Sequence, residues 1–244
     1  MFEGRVALVT GAAKGIGRAT ALELAEGGAD LIILDIDKEG ILKVADEIRT
    51  LGRDVLAYEC DISMEERVYS VIGEALEHFG KVDILVNNAA LFRAYGSFLD
   101  TPTELWRQYL DVNIMGMVYV TKAVLPSMVE RGYGRIINLA SVAGTYGIAN
   151  MAQYSATKGA VVSFTKALAR EVVGNGVLVN SVSPGSVSPG NIEDINHTQP
   201  TELSYMGRTG SDRENANLIC FLASDAASYI SGENIHIDGV RKKL

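Results

Sequence analysis

Short, continuously apolar runs alternate with helix-patterned stretches along the whole of this chain, and that alternation constrains its fold more than any other feature. Residues 5–10, 31–34, 54–59, 82–86, 135–140, 177–182 and 234–237 read as strands. Residues 15–27, 38–51, 64–78, 103–131 (interrupted near Asn113), a stretch carrying Tyr154, and residues 213–223 read as helices. Strands that are apolar without alternation are buried on both faces, and strand–helix alternation supplies the crossovers that parallel strands need. The expectation is an α/β fold, a parallel sheet with helices on both faces. No linker, repeat or low-complexity stretch divides the chain, so residues 1–244 are expected to form one domain. Residues 185–207 show no firm pattern.

Charge and composition exclude several functions. The formal net charge is −8, without the basic footprint of a nucleic-acid-binding protein. Apolar residues make up 48%, enough for a large core. Cys60 and Cys220 are far apart and outside any C-x-x-C, which fits reduced thiols and a cytoplasmic location. His78, His197 and His236 include no pair at metal-ligand spacing, so no metal is expected. No apolar run reaches about 18 residues, and neither a membrane span nor a secretory leader is expected.

Two stretches carry chemistry. Thr10-Gly11-Ala-Ala-Lys14-Gly15-Ile16-Gly17 lies at the first strand-to-helix junction, where glycines admit positive φ and backbone amides approach a pyrophosphate. The spacing G-x-x-x-G-x-G is neither G-x-G-x-x-G nor a Walker A loop. Asp35, followed by Ile36, ends the second strand; a carboxylate there accepts from both ribose hydroxyls of NAD and repels the 2′-phosphate of NADP. Lys14 argues the other way, and Asp35 outweighs it because its carboxylate stands where the phosphate must go.

The second stretch runs from Ser141 to Lys158. Tyr154 and Lys158 are four apart and share a helix face, and Ser141 follows a buried strand. Lowering a phenol from about 10 to ~7 takes roughly 4 kcal/mol of preference for the phenolate. One ammonium ~4 Å away supplies about that at an effective dielectric near 20. The trio suits proton exchange with a carbonyl or alcohol oxygen without a metal.

Thr10-Gly11-x-x-x-Gly15-Ile16-Gly17, Asp61, Asn87-Asn88-Ala89, Asn113, Ser141, Tyr154-x-x-x-Lys158 and Pro184-Gly185 occur in order over roughly residues 4 to 239. In these the chain resembles the short-chain dehydrogenase/reductase family. The resemblance implies a seven-stranded, single-domain Rossmann fold and nicotinamide-dependent oxidation of an alcohol or reduction of a carbonyl. By position it implies that Tyr154 is the acid/base, that Lys158 tunes it and binds the nicotinamide ribose, and that Ser141 holds the substrate oxygen. It implies a water held at Asn113, adenine contacts from Asp61 and Ile62, Asn88 and Ala89 beneath the cofactor, and Pro184, Gly185 and Val187 beside the nicotinamide. Three positions depart from the family pattern: Ala90 for a usual Gly, Ser188 for a Thr near the carboxamide, and Val240 where a second Gly is common.

The leading expectation is an NAD-dependent oxidoreductase for a secondary alcohol or ketone. A 3-oxoacyl-[acyl-carrier-protein] reductase is the rival; such enzymes usually prefer NADPH and lack an acid at the place of Asp35. An inactive nucleotide-sensing protein is the third reading, opposed by the intact Asn113, Ser141, Tyr154 and Lys158. Phe92, Arg93, Tyr95, Tyr146, Ile148, Met151 and residues 186–207 are candidate pocket residues and suit a fairly apolar small molecule. Residues 186–207, with Pro189, Gly190, Pro200 and Gly207, read as a lid. The helices at 103–131 and 153–173 are expected to pair across subunits into a homotetramer.

Overall fold

The computed structural model describes residues 1–93, 96–188 and 194–242. Tyr95, Pro189 and Gly190 lie outside the described residues. The described residues form seven strands: β1 (Val6–Thr10), β2 (Asp30–Asp35), β3 (Val55–Glu59), β4 (Ile84–Asn87), β5 (Gly134–Leu139), β6 (Val177–Pro184) and β7 (Asn234–Ile237). They form one parallel sheet in the order β3-β2-β1-β4-β5-β6-β7. This is the doubly wound Rossmann arrangement, with its topological switch between β1 and β4.

The helices are α1 (Gly15–Glu26), α2 (Lys38–Thr50), α3 (Glu65–Phe79), α4 (Thr103–Leu110), α5 (Met117–Arg131), α6 (Val142–Tyr146), α7 (Ala152–Val172) and α8 (Asp212–Ala223). Side chains alternate along each strand, so the two faces of the sheet build two cores. Ala7, Val9, Leu31 and Ile33 join α1, α2 and α8 on one face. Val6, Leu8, Ile32 and Leu34 join α3, α5 and α7 on the other. Both thiols are free and buried; burial pushes Cys60 up to about 11 and Cys220 up to about 12, which keeps them protonated.

The expected interruption near Asn113 is a widening rather than a break. Between α4 and α5 the chain continues as a π-helix, Asp111–Gly116, so residues 103–131 form one rod. By length and composition alone this rod is apolar enough to cross a membrane; here its inner face packs on α3, α7 and the sheet. Helix α8 starts one residue earlier than its periodicity suggests, at a capping box. The Ser211 hydroxyl accepts from the Glu214 amide, and the Glu214 carboxylate accepts from the Ser211 amide. The short α6 was not expected at all.

Residues 239–242 are held against residues 203–206 despite Val240, which adopts a φ of 58° that a β-branched residue rarely takes. Tyr205 N–H donates to the Val240 carbonyl, Met206 N–H to Gly239, and Lys242 N–H to Leu203. The described part of the unpatterned segment is thus held by long-range backbone bonds. Thr209 N–H donates to Gln199, and Val187 bridges to Gly210.

Strand β4 begins two residues later than its apolar run because Asp83 has another task. Its carboxylate accepts from the Val6 amide at 3.0 Å and from Arg131 at 2.6 Å, and pairs with Lys81 at 3.1 Å. Burial pushes the Asp83 carboxyl up, but the Val6 N–H, Arg131 and Lys81 more than offset it, and the net shift is downward. A depressed carboxylate contributes stability above its unfolded value near 4, lost as pH falls through the folded value. Asp83→Asn is therefore expected to lower unfolding free energy at pH 7 by about 3 kcal/mol. The difference from wild type should shrink in denaturant titrations below about pH 4.

Candidate active site

The site lies along the carboxyl edge of the sheet. At the switch point β1 and β4 are joined by side chains. The Thr10 hydroxyl accepts from the Asn88 and Ala89 amides at 3.1 and 3.0 Å, and the Asn88 amide group donates to the Thr10 and Gly11 carbonyls, both at 2.9 Å. Gly11 has φ 66°. A Cβ there would stand 2.8 Å from both Ala89 Cα and Asn88 Nδ2. A Cβ on Gly17 would collide with the Gly11 carbonyl. The glycines thus keep a backbone cradle open at the N-terminus of α1, where the dipole favours an anion. Lys14 is the exposed N-cap residue, and Ile16 packs partly against the core.

Asp35 ends β2 beside this cradle. Its carboxylate accepts from the Ala13 and Asp37 amides, both at 2.9 Å, which fixes it against the loop. Ile36 is exposed at the same edge. Asp61 is exposed and accepts from the Ser63 amide and hydroxyl. Ile62 differs from its neighbours in the expected adenine site. Its side chain is buried and lies where a Cβ on Gly116 would come within 2.7 Å, so it faces the core.

Lys158 and Tyr154 lie on α7. The Lys158 ammonium donates to the Leu139 carbonyl at the end of β5, at 2.6 Å, and sits 5.7 Å from the centroid of the Tyr154 ring. Lys158 is 4% exposed, and burial holds its pKa down to about 8. Ser141 caps α6, its Oγ accepting from the Ala143 amide at 3.1 Å, which leaves the hydroxyl proton available to donate. Gly144 brings α6 onto α7: a Cβ there would collide with the Lys158 backbone. That contact packs α6, which Ser141 caps, onto α7, which carries Tyr154 and Lys158.

Asn113 occupies the π-helix and is buried. Its Oδ1 accepts from the Leu91 amide at 2.6 Å, and its Nδ2 donates to the Leu91 carbonyl and to Thr157 Oγ1. Thr157 in turn donates to the Tyr154 carbonyl. Beneath the site, Asn87 donates to Thr121 and Asn138, and Asn138 to Thr165, tying β4 and β5 to α5 and α7. Rigid support of this kind is what a proton-transfer geometry needs.

At the other end of the edge, Pro184 closes β6, and the Gly185 amide donates to Ile237 in β7. Val187 bridges to Gly210. Ser188 is buried, and its hydroxyl has no hydrogen-bond partner among the described residues. An orphaned buried hydroxyl calls for a polar partner. With the open glycine cradle and the fixed Asp35, these residues fit a dinucleotide laid across the sheet edge. Among the described residues, no group of three or more His, Cys, Asp or Glu is placed to hold a metal.

Three residues escaped sequence reasoning. Thr157 links Asn113 to the Tyr154 backbone. Tyr109, fully buried in α4, hydrogen-bonds Arg93 in the loop after β4. Asp212 in α8 faces Gly15, and burial pushes its carboxyl up to about 6 against the opposing pull of Arg18. No local motif marks any of them.

This fold and edge define a nicotinamide-dinucleotide-dependent oxidoreductase. Residues 11–239 match a family model described as enoyl-(acyl carrier protein) reductase. The chain is 39% identical over 241 residues to a 3-oxoacyl-[acyl-carrier-protein] reductase of Vibrio cholerae, covering 98% of this chain and 97% of that one. It is 36% identical over 238 residues to a cyclohexanol dehydrogenase of Acinetobacter, covering 98% and 95%. A solved NAD+-bound xylitol dehydrogenase superposes with a TM-score of 0.91 at 33% identity, covering 98% and 99%. The chain belongs to the short-chain dehydrogenase/reductase family.

The buried ammonium has a consequence for stability. Holding Lys158 at about 8 rather than 10.5 corresponds to roughly 3 kcal/mol against folding with the charge in place. The sign follows from proton counting. Below pH 8 the native state carries the buried charge and the full penalty; between 8 and 10.5 the unfolded state holds the extra proton and the penalty fades. Lys158→Met removes it but leaves the Leu139 carbonyl unpartnered, a loss of about 1–2 kcal/mol. By calorimetry the variant is expected to melt about 3 °C higher than wild type at pH 7, with the gain disappearing towards pH 10.

Proposed function

We propose that this protein is an NAD-dependent oxidoreductase interconverting a secondary alcohol and its ketone, with Tyr154 as the acid/base. The observation that carries the reading is the Tyr154–Lys158 pair, a phenol beside a buried ammonium on one helix face. Gly11, Lys14, Gly15, Ile16 and Gly17 would hold the pyrophosphate, Asp35 and Ile36 the adenosine ribose, and Asp61 with the Ile62 backbone the adenine. Asn88 and Ala89 would floor the site, Pro184, Gly185, Val187 and the Ser188 hydroxyl would meet the nicotinamide, and Tyr154 and Lys158 its ribose. When bound, the nicotinamide supplies or accepts the hydride.

The protein's part is to orient the substrate and to manage one proton. Ser141 donates to the substrate oxygen, while its Oγ accepts from the Ala143 amide. Tyr154 gives its phenolic proton to that oxygen in reduction and withdraws it in oxidation. Lys158 stabilises the phenolate left behind, and low surrounding polarity strengthens that effect. The Asn113 side chain is already engaged with Leu91 and Thr157, so a relay water at this point would meet its backbone.

Asp35 supports NAD over NADP, because a 2′-phosphate would meet a carboxylate already fixed by two amides. An NAD+-bound xylitol dehydrogenase among the solved structures supports the same cofactor reading, and a cyclohexanol dehydrogenase among the relatives supports the alcohol–ketone chemistry. The second reading, a 3-oxoacyl-[acyl-carrier-protein] reductase, is favoured by the Vibrio relative. A net charge of −8 opposes docking an acidic carrier. Exposed Leu110 and Met115 on the rod support pairing of subunits; in this reading each chain is one catalytic domain of a cytoplasmic homotetramer.

Steady-state kinetics test the proposal. Tyr154→Phe is expected to lower kcat about 10³-fold while changing NAD affinity less than about threefold. Wild type is expected to favour NAD over NADP by about tenfold or more in kcat/KM, and Asp35→Ala to erase most of that preference. Undiminished turnover by Tyr154→Phe would refute the acid/base assignment. Preference for NADPH together with a 3-oxoacyl thioester would establish the second reading.

A further inference from the structure

Phe92 is 56% exposed, yet its ring meets Tyr154 edge-on with centroids 4.9 Å apart. A ring so exposed gains little from burial, and the backbone beneath it helps set where it stands. That backbone is gripped on both sides. Before Phe92, Asn113 takes both polar groups of Leu91, accepting from its amide and donating to its carbonyl. After Phe92, Tyr109 takes both polar groups of Arg93. Its hydroxyl accepts from the Arg93 amide at 2.9 Å and donates to the Arg93 carbonyl. Tyr109 and Asn113 are four residues apart on one rod, and both are buried. The Tyr109 ring also meets Tyr154 edge-on, at 6.3 Å between centroids. Two side chains of one helix thus clamp the peptide groups flanking a single aromatic residue, beside the phenol.

We propose that Phe92 is the substrate-facing wall that selects ring-sized apolar alcohols and ketones, and that Tyr109 is the positioning residue that holds it. This deepens the alcohol–ketone reading and rests on it for the chemical class of ligand. An apolar ring packed on Phe92 gains contact area and an edge-to-face geometry, while its oxygen reaches Tyr154. A short acyclic ketone reaches Tyr154 without covering Phe92. A polyol would set hydroxyls against an aromatic face that cannot pair them, and would be disfavoured.

The test measures binding, so it does not depend on turnover. In NADH-saturated Tyr154→Phe enzyme, dissociation constants for cyclohexanone and butanone are read by equilibrium dialysis. Adding Phe92→Ala is expected to weaken cyclohexanone about tenfold and butanone less than threefold. Adding Tyr109→Phe, which keeps the ring and deletes only the hydroxyl, is expected to do the same with NADH affinity unchanged. Combining both should weaken cyclohexanone no more than Phe92→Ala alone, since the two act through one contact. Equal effects on the two ketones, an unchanged cyclohexanone constant, or binding of neither ketone would overturn the proposal. Turnover by the Tyr154→Phe enzyme would refute the acid/base reading and leave this comparison standing.

Discussion

An ammonium group buried beside a phenol is the constraint around which the candidate site is arranged. Lys158 donates to the Leu139 carbonyl, the last residue of β5, so its position is set by the sheet and not by α7 alone. An ammonium has three donors. Among the described residues this one meets a single protein acceptor, which leaves the others for water and for the ribose of the proposed complex. Burial that holds its pKa down to about 8 also strengthens its hold on a nearby phenolate, since both effects come from the same low polarity. The fold tolerates a destabilising group where the proposed proton transfer needs one.

The surroundings of that pair consist largely of side chains gripping backbone. Thr10 and Asn88 stitch β1 to β4, Asn113 and Tyr109 clamp Leu91 and Arg93, and Ser141 caps α6. Glycines supply the close approaches, Gly11 and Gly17 in the cradle and Gly144 against α7. The π-helix at Asp111–Gly116 belongs to the same scheme. It carries Asn113 on a rod that is otherwise regular, and π turns often mark functional sites.

What the sequence made legible was local. Continuous apolar runs revealed the strands, and the glycine loop, Asp35 and Tyr154-x-x-x-Lys158 could be read because each is a pattern of near neighbours in the chain, although the Ala13 amide on Asp35 and the Asn88 side chain and Ala89 backbone against Gly11 come from farther away. Contacts between distant segments were not legible. Nothing near Tyr109 announces that its hydroxyl will meet Arg93, and nothing near Gly144 announces the backbone of Lys158. Helix α6, five residues long, has no periodicity to detect. The inward turn of the Ile62 side chain depends on Gly116, 54 positions on. Ser211-Asp-Arg-Glu214 does carry a capping-box pattern, and it would have located the start of α8 had it been weighed above apolar spacing.

The central claim is that Lys158 makes Tyr154 an acid near neutrality. Phenolate absorbance near 295 nm tests it most directly, titrated with saturating NAD+ in wild type and in Tyr154→Phe. The difference between the two curves isolates one tyrosine. The mechanism requires a midpoint at least two units below the ordinary value of about 10, and a return towards 10 when the same pair is compared in the Lys158→Met background. A difference curve centred at 10 or above in the otherwise wild-type protein would contradict it.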